Sequence, residues 1–223
     1  MIAILGDFNP AFPTHLELQA EVTRVETRTN IEWIDTDSKD AVLRAARGTA
    51  LWVIPGTPYK RDDVVYSAIK NARLNNQPFL GSCGGFQYAA IEYARNVAGI
   101  NQAEHAEIAP DAKQHVIEPL QCSLVAEERQ VQTVAGTRLA KICGTDPFTG
   151  YHYCNYGLSA EYTGQLADAG IVFNSYADDA GVEGFELPNH VFFVATLFQP
   201  QVGAIASRAQ HLLIKAFVDA TTS

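Results

Sequence analysis

Pro78-Phe79-Leu80-Gly81-Ser82-Cys83-Gly84-Gly85-Phe86-Gln87 passes from a short apolar run into Gly-x-Cys-x-Gly and then into helical spacing over Tyr88 to Val97. Strand, tight turn and helix in that order are the setting of a nucleophile elbow, in which flanking glycines permit a strained turn and a close approach of neighbouring chain. The Cys83 sulfur is then expected at the N-terminus of the helix, where free N–H groups and the helix dipole favour negative charge. The Gly84 N–H points to where an oxyanion would develop. The plainer alternative is a small buried thiol at a strand end, the usual fate of a free cysteine; the paired glycines and the helix behind them favour the elbow.

Upstream, Ile2 to Leu5, Ile31 to Ile34 and Leu51 to Ile54 are apolar runs of the kind that form strands buried on both faces. Helical spacing separates them at Leu16 to Val25, Ser38 to Arg47 and Arg61 to Leu74. Strands alternating with helices at this interval predict βαβ units, hence an α/β fold with a doubly wound, mostly parallel sheet. Trp52-Val53-Ile54-Pro55-Gly56-Thr57-Pro58 ends one strand in a Pro-Gly turn beside the elbow. The Gly56 or Thr57 N–H is a candidate second oxyanion donor, although an ordinary strand-ending turn reads as well.

After Gly99 the rhythm changes. Asn101 to Gln114 is expected as a long loop, and Val116 to Thr137 with Leu139 to Tyr156 as an antiparallel excursion rich in Val, Thr and Tyr. A helix over Ala160 to Ala169 stops at Gly170, strands follow at Ile171 to Tyr176, Val182 to Leu187 and Val191 to Phe198, and an amphipathic helix closes the chain over Ala204 to Ala220.

A length of 223 residues with no visible linker predicts a single domain over 1–223. Lys+Arg 16 against Asp+Glu 25 gives a net charge of −9, which repels phosphate backbones and anionic membrane surfaces. No apolar run reaches a membrane span, and the first residues lack a signal peptide's basic start, so a cytoplasmic protein is expected. The four cysteines, Cys83, Cys122, Cys143 and Cys154, are too sparse for a disulfide scaffold and form no Cys-x-x-Cys pair; at least three are expected to be plain reduced side chains, and neither a metal nor another cofactor is expected.

The chain resembles the amidotransferase domain of the CTP synthases, class I glutamine amidotransferases of flavodoxin-like fold with a Cys-His-Glu triad. The resemblance rests on Asn76 to Gln87, Ile91 to Val97, Glu107-Ile108 with Pro110-Asp111, Gln165 to Phe173, and Glu186-Leu187-Pro188-Asn189-His190-Val191-Phe192-Phe193-Val194. It implies that Cys83 is the nucleophile and that Gln87, Glu107 and Tyr156 face the substrate. The synthetase half is not expected, because Met1 opens directly onto the first strand.

Where that family's last strand ends in Phe-His-Pro-Glu, this chain reads Phe198-Gln199-Pro200-Gln201. Glutamine cannot take a proton near neutral pH, so the resemblance implies a site without its general base. Tyr151-His152-Tyr153-Cys154-Asn155-Tyr156 lacks the arginines of the corresponding run, and Asn155 stands where a carboxylate clamp is expected. A neutral amide in place of a bidentate cation weakens recognition of a free amino acid. His105 and His152 are candidate relocated bases; His15 lies at the same sheet end, and each also reads as an ordinary hydrogen-bonded histidine.

Three functions follow as expectations: a cysteine-nucleophile amidase acting on a small amide other than glutamine, a catalytically inactive binding or regulatory module, and a glutaminase subunit supplying ammonia to a separate synthetase. The expected ligand is a small-molecule amide, with a protein partner and a homo-oligomer left open and nucleic acid and membrane excluded.

Overall fold

A computed structural model describes residues 1–221. In chain order the elements are β1 (Ile2–Leu5), α1 (Pro13–Glu26), β2 (Ile31–Ile34), α2 (Ala41–Arg47), β3 (Ala50–Val53), α3 (Asp62–Leu74), β4 (Phe79–Ser82), α4 (Gly84–Asn96), β5 (Ala103–His105), β6 (Gln114–Pro119), β7 (Glu127–Thr133), α5 (Arg138–Cys143), β8 (Phe148–His152), β9 (Tyr156–Leu158), a 3-10 turn (Ala160–Tyr162), α6 (Thr163–Asp168), β10 (Val172–Ala177), β11 (Gly181–Glu186), β12 (Phe193–Thr196) and α7 (Leu212–Asp219). Among the described residues the main sheet has the order β2-β1-β3-β4-β12-β11-β10-β7-β8. Its first five strands run parallel, and the joins from β12 to β8 are antiparallel.

Alternation along the strands builds two cores. Ala3, Leu5, Leu51, Val53, Phe79 and Ala195 face the layer of α2, α3 and α4. Ile2, Ile4, Ala50, Trp52, Leu80 and Val194 face α1 and α7. Successive side chains of a strand point to opposite faces, so continuous apolar runs belong in a sheet covered on both sides. Phe79 and Phe193, register partners of β4 and β12, stack at 4.3 Å between ring centroids and tie the elbow strand to the last strand.

Several local expectations are corrected. α4 begins at Gly84, directly behind Cys83 rather than at Tyr88. The Asn101 to Gln114 segment contains β5, which joins β6 and β9 in a separate three-stranded sheet. The stretch expected as strand after Leu139 opens with α5. Thr137 Oγ1 accepts from the Ala140 N–H at 3.2 Å, and the Glu186 carboxylate accepts from the Arg138 and Leu139 N–H groups at 2.7 and 3.2 Å. A distant strand thus supplies half of that helix's N-terminal partners. The Ala160 to Ala169 helix divides into the 3-10 turn and α6. The closing helix is α7 alone, because Gly203 (φ +108°) and Ser207 (φ +55°) hold the preceding segment in turns.

Candidate active site

Cys83 follows β4 and precedes α4, and its backbone sits at φ +51°, ψ −104°. A non-glycine residue with positive φ costs about 1–3 kcal/mol and persists only where its surroundings fix it. Here the Cys83 N–H donates to the Thr196 carbonyl at 2.8 Å, and the Cys83 carbonyl accepts from the Gln87 N–H at 3.1 Å. The neighbouring glycines are required by approach distances. A Cβ on Gly84 would lie 2.4 Å from the Gly56 carbonyl oxygen, and one on Gly85 would lie 2.3 Å from that of Val53. The α4 N-terminus is therefore pressed onto the end of β3, with Gly56 itself at φ +126°. The first N–H groups of a helix have no partner within it, so those of Gly84 and Gly85 remain available at the sulfur's position.

The sulfur faces a cavity of about 220 Å³ that also takes in Gly56, Thr57, Gln87, Glu107, Asn155, Tyr156 and Gln199. The structure thus gathers these seven sequence-selected residues with Cys83 around one space. Gln87 donates through Nε2 to the Tyr156 carbonyl at 2.8 Å. Thr57 donates through Oγ1 to Glu107 Oε2 at 3.0 Å, fastening the turn after β3 to the loop after β5. Asn155 is exposed at the rim, while Phe12 and Tyr153 meet edge to face at 6.3 Å between centroids. Among the described residues no arginine or lysine lines the cavity, and Glu107 is its one carboxylate side chain.

The histidines take separate places. His105 is fully buried; its Nδ1 accepts from the Glu107 N–H at 3.2 Å, which puts the ring proton on Nε2, 3.2 Å from Gln87 Oε1. Desolvation, helped by nearby His115, pushes its pKa down to about 4. His105 therefore orients the Gln87 amide. His15 lines the cavity with both nitrogens engaged, Nδ1 accepting from the Asn9 N–H at 3.0 Å and Nε2 donating to the Pro55 carbonyl at 2.9 Å. Burial lowers its pKa. His152 is fully buried behind the cavity, with Nε2 held by both Glu183 carboxylate oxygens at 2.8 and 2.9 Å and Nδ1 without a partner. None of the three makes a hydrogen bond to Cys83 among the described residues.

Gln199 and Gln201, after the end of β12, form a pair of their own. Gln201 Nε2 donates to Gln199 Oε1 at 2.8 Å, leaving Gln199 Nε2 and Gln201 Oε1 buried without partners. The Gln199 N–H is fixed to the Tyr151 carbonyl at 2.8 Å, so its side chain enters the cavity from a rigid strand end. A primary amide here donates and accepts hydrogen bonds but cannot relay a proton.

Two participants escaped the sequence reading. Glu183, on β11, holds His152. Cys154 lines the cavity together with Cys83. The neighbouring Cys83 thiol first, and burial second, push the Cys154 thiol well above the usual range. The Cys83 sulfur also lies 3.9 Å from the Tyr153 carbonyl oxygen. The available signal was position, since Cys154 separates Tyr153 from Asn155 in a run already singled out.

An α/β sheet with a cysteine elbow at the carboxyl end of a central strand defines a class that comparison makes explicit: residues 15–195 match the family model for "Glutamine amidotransferase class-I", and the chain belongs to that family. Within it, the CTP synthase of Carboxydothermus hydrogenoformans is 34% identical over 214 residues, covering 88% of this chain and 39% of that protein. The CTP synthase of Pyrobaculum aerophilum is 30% identical over 190 residues, covering 79% and 36%. The chain therefore spans less than two fifths of these relatives' length. The glutaminase domain of Trypanosoma brucei CTPS, solved with bound acivicin, superposes with a TM-score of 0.84 at 22% identity, covering 99% of this chain and 93% of that one.

Proposed function

We propose that the chain acts as one amidotransferase-like unit whose Cys83 attacks the carbonyl of a small amide other than glutamine. The observation that carries this reading is the cavity itself: a sulfur on a left-handed elbow, a helix N-terminus beside it, and no cationic side chain to hold a free carboxylate. In the step envisaged, Cys83 Sγ bonds to the carbonyl carbon, the developing oxyanion is met by the N–H of Gly84 and of Gly56 or Thr57, and the C–N bond breaks as a thioester forms. The thiol proton leaves on the departing amine, and water later releases the acid. Gln87, oriented by His105, and Gln199 Nε2 supply hydrogen bonds to the ligand.

With no imidazole on Cys83, proton transfer lacks its usual carrier, which lowers turnover by roughly 10²–10⁴-fold relative to a base-assisted reaction. His152 is the remaining candidate base, reached only by movement of the Tyr153-Cys154 link. The closed Gln199–Gln201 pair favours a second reading, a catalytically inactive binding or regulatory module. A glutaminase feeding a separate synthetase partner is the third, supported by kinship to the longer CTP synthases.

Ammonia release from L-glutamine and from its α-methyl ester separates the three. The amidase reading expects the ester, which lacks the carboxylate, to be turned over at least about tenfold faster, with loss of activity in Cys83→Ala; a factor of ten corresponds to about 1.4 kcal/mol. Preference for glutamine overturns it in favour of the glutaminase. Binding of the ester without ammonia release supports the inactive module.

A further inference from the structure

We propose that Cys83 and Cys154 form a redox dithiol, in which a small hydroperoxide oxidises Cys83 and Cys154 resolves the product into an intramolecular disulfide. Both residues border the same cavity, both are 7% exposed, and the Cys83 sulfur lies 3.9 Å from the carbonyl oxygen of Tyr153, the residue before Cys154. The two backbones are independently anchored. Cys83 is locked in the elbow, and the Cys154 carbonyl accepts from the Leu124 N–H at 3.0 Å while that of Asn155 accepts from the Leu120 N–H at 2.8 Å. Closure to an S–S bond of about 2.05 Å draws the sulfur carried on the β8–β9 link toward the elbow.

The chemistry balances in two steps. The Cys83 sulfur attacks the distal oxygen of the hydroperoxide, the O–O bond breaks, an alcohol or water leaves after taking a proton, and Cys83 becomes a sulfenic acid. The Cys154 sulfur then attacks the Cys83 sulfur, its proton joins the departing hydroxyl, and water is released as the disulfide forms. An external dithiol returns both thiols, becoming a disulfide itself. Gln199 is 2% exposed and its buried Nε2 has no partner, which makes it a ready donor to the oxygen carried on Cys83. A site built around imidazole would instead place a base on that sulfur.

The other cysteines are poor competitors. Cys122 is exposed and lies 3.7 Å from Asp179 Oδ2, and neither it nor Cys143 borders the cavity that Cys83 faces. Oxidation removes the nucleophile from the cavity, so the same pair would switch amide chemistry off. The proposal shares Cys83 with the amide reading but not its substrate, and either can fail alone.

The test is peptide mapping without reduction after treatment with one equivalent of hydrogen peroxide. Trypsin leaves Cys143 and Cys154 on one peptide, because no lysine or arginine lies between them; the Cys143→Ser variant therefore accompanies the wild type. The expected result is a Cys83–Cys154 cross-link in both, a fall from four titratable thiols to two, and full recovery with dithiothreitol. Cys154→Ser should instead accumulate a Cys83 sulfenic acid trapped by a cyclic diketone probe. Sulfinic acid on wild-type Cys83 beside a free Cys154 would overturn the proposal. So would a cross-link through Cys143, or oxidation of Cys122 ahead of Cys83. Fragmentation of the wild-type cross-linked peptide between residues 143 and 154 assigns the partner sulfur without a substitution, so the matter is decided even where a variant folds poorly. Ammonia release from the α-methyl ester, assayed on the same reduced samples, reports the amide reading separately.

Discussion

Gly85 shows how tightly single positions hold this site. A methyl group there meets the Val53 carbonyl at 2.3 Å, a backbone atom that cannot swing aside, so Gly85→Ala must shift α4 against β3. The expected cost is about 1–3 kcal/mol, read from the urea midpoint, with slower labelling of Cys83. Gly99→Ala meets nothing within 4 Å and is strained only by φ +75°, so about 1 kcal/mol is expected there and no change at Cys83. Two desolvated histidines contribute to the acid response. His105 and His211 are both depressed to about 4 by desolvation, against 6.5 for the exposed ring. The unfolded chain therefore binds protons first as pH falls, and stability that is full above about pH 6.5 is lost on descent toward pH 4. Thermal melts across that range should show the fall, and a His105→Gln, His211→Gln double variant should show a shallower one; an unchanged slope would contradict the assignment.

At the scale of elements, α5 is the instructive case. Its short apolar spacing reads as strand, and what makes it helix is the Thr137 cap together with a carboxylate from β11. Thr137→Ala is expected to cost about 1 kcal/mol by chemical denaturation. The parallel half of the sheet was legible because β1, β3, β4 and β12 are fully buried runs whose partners lie on both faces. The small sheet of β5, β6 and β9 was not, since β5 and β9, at three residues each, carry too few side chains to display a period. The site divides in the same way. Cys83 and its glycines advertise themselves locally. The Cys83–Cys154 and His152–Glu183 pairs depend on strand order and leave no local pattern.

Across the whole molecule, the two apolar layers and the single strand bridge from β4 to β12 make the elbow depend on residues far from it. Phe217, fully buried on α7 against Trp52 and Phe192, should cost about 3–5 kcal/mol as Phe217→Ala. Among the described residues no helix is long and apolar enough to cross a membrane. The net charge of −9 and a cavity without arginine or lysine act in the same direction, against anionic ligands. That shared polarity makes one measurement decisive for a reactive Cys83 in a pocket suited to a neutral amide: the rates at which iodoacetamide and iodoacetate alkylate Cys83 and Cys122 in the reduced protein, resolved by peptide mass spectrometry. Cys122, exposed to solvent, calibrates the two reagents. The account predicts that iodoacetamide modifies Cys83 faster than Cys122, and that iodoacetate reverses the order. Slower modification of Cys83 than of Cys122 by both reagents, or a preference of Cys83 for iodoacetate, would contradict it.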